Sequence, residues 1–267
     1  MNLIGMAWTR NEGDILEETM RDAAKKVDAL YVADGHSTDG SWAILQRLKA
    51  EGVVEHIQQE DERKDRAQRN SLLAKIRERY KPEDTWVQIF ESDVFVMDTD
   101  IRAAIRDHAV KGVGVPWIML NAVRKPGTWD GADTYPEWKA PIREVMPFAH
   151  YAELVLYTFR PLPELFFDND KWRPWPLGFS EYTRSPVKRW PHGVSAPLLL
   201  HVGYRGPTHF HLKYRSMGTH HTRHVGWRID IPESVEQTVP YFNGVWNGPS
   251  FPATREGWRK ACCASRQ

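Results

Sequence analysis

Three short stretches of this chain gather reactive polar residues directly behind apolar runs. "TRNE" (9–12) follows "LIGMAW", "DGHSTDG" (34–40) follows "ALYVA", and "ESD" (91–93) follows "VQIF". Glu91 and Asp93 stand two apart between "VQIF" and "VFVM". That spacing holds two carboxylates close together in partly buried surroundings, at a desolvation cost that a divalent cation offsets. Ser37, Thr38 and Asp39 can shape a turn and satisfy the free N–H groups of a following helix, or face a ligand. Asp34 lies before that capping segment, so helix capping does not explain it.

The elements that must position these residues alternate. "NLIGMAW" (2–8) reads as a strand, and the stretch from Asp14 to Lys26 as a helix with Asp14 and Glu17 at capping-box spacing. "ALYVAD" (29–34) predicts a second strand, "DGSWAILQRLKAE" (39–51) a helix, and "VVEHI" (53–57) a third strand. "DRAQRNSLLAKIRERY" (65–80) is helical, "TWVQIFESD" (85–93) a fourth strand and "DIRAAIRDHAV" (100–110) a helix. Strands alternating with helices of this length predict βαβ units and a mainly parallel sheet flanked by helices. Ligands of such sheets bind beyond the carboxyl ends of the strands, and all three polar groups fall on that edge.

Beyond residue 110 the pattern loosens. "GVGVPWIMLNAV" (112–123), "ELVLYTF" (153–159) and "APLLLHV" (196–202) predict strands joined by connections rich in Pro, Gly and Trp. The chain has 267 residues, 41% of them hydrophobic, which fits one large α/β domain or a domain plus an appendage. Its net charge of +1 excludes a general electrostatic pull toward nucleic acid or anionic membrane. The two cysteines are the neighbours Cys262 and Cys263, for which a mutual disulfide is strained, so a reducing compartment is the simpler expectation. No stretch approaches the roughly 20 apolar residues of a membrane span. A soluble, cytoplasmic protein is expected.

The order "RNE" after the first strand, "VADGHSTDG" after the second, "AQRN" opening a helix and "ESD" after the fourth strand resembles the family 2 glycosyltransferases of the GT-A fold. Their usual forms are an Arg-Asn-Glu opening, "VDxxSTDGT", "ARN" and "DxD", and the likeness covers about residues 2 to 97. It implies a Rossmann-like sheet whose residues 1–111 bind the nucleotide sugar, with the Trp- and Pro-rich residues 112–267 forming the acceptor half. It implies that Thr9, Arg10 and Glu12 line the base and ribose pocket, that Asp34 accepts hydrogen bonds there, and that Arg69 reaches the nucleotide. Ser92 belongs to the same nucleotide contact. Asp93 would coordinate Mn²⁺ or Mg²⁺ on the diphosphate. Glu91 stands where Asp is usual, and its longer arm is expected on the ribose or behind the ion.

"LLLHVGYRGPTHFHLKY" resembles an "HxGY" stretch of a subset of these enzymes, which implies that His201 completes the metal site. Lys213 and Arg215 follow it as candidate diphosphate contacts. His220 and His224 stand four apart without a Cys or acidic companion, which favours a polar surface over zinc. An inverting transferase needs a carboxylate near the acceptor hydroxyl. Asp168, Asp170 and Glu181 are available after the strand end "FR", and Asp170 is chosen because "DNDKWRPW" surrounds it with aromatic platforms.

The expected activity is therefore transfer of a sugar from a UDP-sugar to a hydroxyl of a glycan or another acceptor. Two alternatives stand beside it. The Arg, Lys and Trp interleaved in "RPWPLGFSEYTRSPVKRWP" would suit a hydroxylated base in DNA, which the near-neutral charge disfavours. A non-catalytic carbohydrate-binding protein is the other.

Overall fold

The computed structural model describes residues 1–60, 65–109, 112–124, 140–167, 174–175, 197–203, 205–206, 208–209 and 250–264, except the side chains of 65–67, 150–154, 174–175 and 262–264. In chain order the elements are β1 (Asn2–Thr9), α1 (Leu16–Ala24), β2 (Ala29–Asp34), α2 (Ser41–Ala50), β3 (His56–Gln59), α3 (Asp65–Arg79), β4 (Thr85–Glu91), β5 (Val94–Val96) and α4 (Ile101–His108). They continue with β6 (Gly114–Val123), the short α5 (Ile142–Val145), β7 (Phe148–Phe159), β8 (Phe166–Phe167), β9 (Pro174–Trp175), β10 (Leu198–His201), β11 (Phe251–Pro252) and α6 (Arg255–Ala264).

The chain divides into two compact units, one of residues Met1–Met119 with Glu153–Leu199, the other of Leu120–Ala152 with Leu200–Gln267. The strands form a mixed sheet in the order β3-β2-β1-β4-β7-β6-β10-β5, of which β1 to β5 lie wholly in the first unit. β3, β2, β1 and β4 run parallel, and β7 joins β4 antiparallel. Consecutive residues of a strand face opposite sides of the sheet, yet Leu3 to Thr9 are all buried and so are Thr85 to Phe90. Both faces are therefore covered, which is why these strands read as unbroken apolar runs. Leu16 and Met20 of α1, Leu45 and Leu48 of α2, and Leu72, Leu73 and Ile76 of α3 belong to the same core.

The second unit pairs β11 with the start of β7, Phe251 opposite Ala149 and Pro252 opposite Phe148. Trp258 of α6 packs on Phe251 with ring centroids 6.1 Å apart. No helix among the described residues is long and apolar enough to cross a membrane.

Several boundaries differ from expectation, each for a visible reason. α1 begins at Leu16, and no side chain caps it; the Glu12 carbonyl instead accepts from Ile15 N (3.0 Å) and Leu16 N (2.9 Å). Asp14 and Glu17 therefore form no capping box. β3 starts at His56 because the N–H groups of Val53 and Val54 close the end of α2 on the Leu48 carbonyl. The expected strand 85–93 stops at Glu91, and a turn leads directly into the unexpected strand β5.

Glu17, freed from capping, ties α1 to α2. It accepts from Arg47 Nη2 at 2.6 Å and from Arg21 Nε at 3.0 Å, while Arg21 also pairs with Glu51. Hydrogen bonding by Arg47 is the main cause that lowers the Glu17 pKa to about 2, from an ordinary value of 4.5. A depressed carboxylate pKa adds stability that is present above pH 4.5 and lost as pH falls to about 2. Because Glu17 is 39% exposed, the network's worth is screened to roughly 0.5–1 kcal/mol. Glu17→Gln should lower the urea midpoint at pH 7, and the gap from wild type should close below about pH 2.5. A gap that persists at pH 2 would mean that the ion pairs are not its cause.

Candidate functional site

Sheet register sets the site. Thr9 pairs with Asp34, Asp34 pairs with Gln59, and Glu91 pairs with Trp8. One row of polar residues thus crosses the carboxyl ends of β3, β2, β1 and β4, where an open parallel sheet places its ligands.

The loops that follow β1 and β2 are stitched to each other. Asn11, at φ +54°, donates its N–H to Ser37 Oγ (2.8 Å), and its side-chain oxygen accepts from Thr38 N (2.8 Å). Glu12 N donates to Ser41 Oγ (3.1 Å) and Gly13 N to Asp39 Oδ2 (2.8 Å). Asp39 also accepts from Ser41 N and Ser41 Oγ. Asp39 and Ser41 therefore hold the first loop in place as well as starting α2, whose first turn follows Gly40 at φ +93°.

Asp34 is wholly buried. Its carboxylate accepts from Ser37 Oγ (2.5 Å), Ser37 N (3.1 Å) and Gln59 Nε2 (3.0 Å), which uses three of about four acceptor positions. Thr9 is 1% exposed, and its hydroxyl finds no hydrogen-bond partner among the described residues. A buried hydroxyl without a partner is costly, and a ligand's polar group would relieve it. Arg10 is half-buried, and its Nε is likewise buried without a hydrogen-bond partner among the described residues. Glu12 is buried and contributes its carbonyl to the start of α1. Arg69 of α3 is 3% exposed, with its guanidinium 3.9 Å over the Trp8 ring and 5.6 Å from the Phe167 ring. Two aromatic faces hold that cation rigidly.

At the end of β4, Tyr157 of β7 donates its hydroxyl to Glu91 Oε1 (2.5 Å). Thr19 of α1 donates to the Ser92 carbonyl (2.8 Å), which anchors the turn carrying Asp93. Ser92 and Asp93 are both buried. His201 ends β10, and its Nδ1 lies 2.6 Å from Asn121 Oδ1 on β6. Glu91, Asp93 and His201 each offer one ligand atom, all within 4.8 Å of one another. Two carboxylates and one imidazole form a donor set that fits Mn²⁺ well and Mg²⁺ acceptably. Glu91 thus stands among the candidate ligands themselves.

Asp168, Asp170, Glu181, Lys213, Arg215, His220 and His224 lie outside the described residues. Asn121, Tyr157, Gln59 and Thr19 were not anticipated from sequence. The only signal for Asn121 and Tyr157 was a polar atom inside an apolar run, "WIMLNAV" and "LVLYTF".

Residues 8–133 match the family model "Glycosyl transferase family 2". Among solved structures the chain is similar to the mannosyltransferase PcManGT from Pyrobaculum calidifontis in complex with GDP-Man and Mn²⁺, at 21% identity over 48% of this chain and 36% of that one, with a TM-score of 0.35. It is also similar to S. aureus TarS, at 14% identity over 91% of this chain and 43% of that one, with a TM-score of 0.40. The chain thus spans less than half the length of either. No curated protein matches it.

Proposed function

For a chain whose residues 8–133 match the glycosyl transferase family 2 model, we propose transfer of a sugar from a UDP-sugar to a hydroxyl acceptor, a glycan by preference, with Mn²⁺ or Mg²⁺ held by Asp93, Glu91 and His201. The convergence of those three ligand atoms within 4.8 Å, beside the polar row at the strand ends, supports it most. Residues 1–111 take the donor and residues 112–267 the acceptor. The protein works in the cytoplasm.

The buried Thr9 hydroxyl, Arg10 and Glu12 receive the base and ribose. The remaining acceptor position of Asp34 serves the same moiety, while its other bonds keep the loop shaped around it. Arg69, braced by Trp8, supplies positive charge toward the nucleotide. Ser92 gives its carbonyl to Thr19 and so keeps Asp93 in place. The ion, when bound, neutralises charge that builds on the departing diphosphate. Asp170 takes the proton of the acceptor hydroxyl.

A panel of UDP- and GDP-sugars, read by released nucleoside diphosphate with Mn²⁺ present, tests this reading. UDP release from one donor, stimulated by an oligosaccharide acceptor and absent with EDTA, is expected. Binding of sugars without release from any donor would replace it with the carbohydrate-binding reading, and stimulation by hydroxymethylated DNA alone would move the acceptor to nucleic acid.

A further inference from the structure

Imidazole can bind a cation only through a nitrogen that carries no proton, so the tautomer of His201 decides whether it can serve as a ligand. Its Nδ1 lies 2.6 Å from the side-chain oxygen of Asn121. That oxygen only accepts, so Nδ1 carries the proton, and in the neutral ring the lone pair then lies on Nε2. Asn121 is wholly buried on β6, a strand whose residues Gly114–Val123 are all buried. Its amide therefore cannot swing out to water, and the hydrogen bond is held by packing. With the amide reversed, its NH₂ group would face Nδ1, the ring proton would move to Nε2, and the nitrogen left to coordinate would be blocked.

We propose that Asn121 is a positioning residue that locks His201 in the Nδ1–H tautomer and presents Nε2 to the divalent cation. The inference rests on the metal reading given above. A buried polar side chain within an apolar strand carries a desolvation cost, and this hydrogen bond is what offsets it. Partners of this kind behind a ligating histidine are worth roughly 10–100-fold in metal affinity. A neutral amide sets the ring without adding a third negative charge beside Glu91 and Asp93.

Two measurements on the full chain test it. In wild type at a pH where the His201 ring is neutral, its nitrogen chemical shifts, assigned through their loss in His201→Gln, should show a protonated Nδ1 and a bare Nε2; a neutral ring protonated on Nε2 would overturn the proposal. Mn²⁺ titrations followed by loss of the free-ion EPR signal should show about 10–100-fold weaker binding in Asn121→Leu, and retained or tighter binding in Asn121→Asp, which keeps both shape and acceptor. Equal Mn²⁺ affinity in folded Asn121→Leu would also overturn it. Should that variant fail to fold, the wild-type tautomer and Asn121→Asp still decide the matter. Wild type that binds no Mn²⁺ would remove the metal reading, whereas the tautomer result bears on Asn121 alone.

Discussion

Asp93→Asn should reduce transfer by on the order of 10³-fold while leaving the fold intact. The substitution keeps the volume of a side chain that is 1% exposed and removes its charge. Of the three clustered groups, Asp93 is the most buried, and its turn is pinned by the Thr19 hydroxyl, so no neighbouring carboxylate can slide into its place. Thermal shift gives a second readout. UDP at about 100 times its dissociation constant stabilises the folded state by roughly 2.7 kcal/mol. In wild type this shift should require Mn²⁺, and in Asp93→Asn it should fall to the level seen with EDTA. A UDP shift of equal size in the variant would remove Asp93 from the metal site, and a full shift in EDTA would remove the ion from donor binding.

Asp34→Ala should lose roughly 2–4 kcal/mol of stability in addition to donor binding. Sequence position alone made Asp34 a ligand-facing group that lies before the capping segment of Ser37, Thr38 and Asp39. In the structure Asp34, like Asp39, also holds the loops through hydrogen bonds. Asp34, wholly buried, accepts from both the backbone and hydroxyl of Ser37 and from Gln59. Its removal leaves three donors without their acceptor, two of them on half-buried Ser37, whose hydroxyl also receives Asn11 N–H, and one on the exposed Gln59. Asp34→Asn should cost less, roughly 1 kcal/mol, because one oxygen can still take Ser37 N and Gln59 while the amide meets Ser37 Oγ. Chemical denaturation of both variants, compared with their UDP affinity, separates the two roles. If Asp34→Ala unfolds at the wild-type midpoint, the hydrogen bonds seen here contribute nothing to stability.

Much of residues 1–111 was legible because a parallel sheet covered on both faces writes each strand as a continuous apolar run. The end of each run then marks a carboxyl edge. Thr9, Asp34 and Glu91 could be placed on that edge without coordinates, since local pattern and the chain's alternation suffice to order β1, β2 and β4. Helix ends were less legible. Asp14 and Glu17 have capping-box spacing, but the Glu12 carbonyl starts α1 and the arginines of two helices claim Glu17.

What the sequence could not determine is which distant groups stand behind the site. Tyr157 reaches Glu91 across 66 residues of chain, and Asn121 reaches His201 across 80. These contacts follow from the antiparallel insertion of β7 beside β4 and from the placement of β6 next to β10. Neither adjacency is written in a local period, because apolar runs of similar composition can pair in many orders, and the packing of the whole sheet selects one. The sequence alone therefore determined the chemistry available at the strand ends. Tertiary structure decided how that chemistry is held: which oxygen of Glu91 takes the Tyr157 hydroxyl, which ring nitrogen of His201 faces Asn121, and how many acceptor positions of Asp34 the loop itself uses.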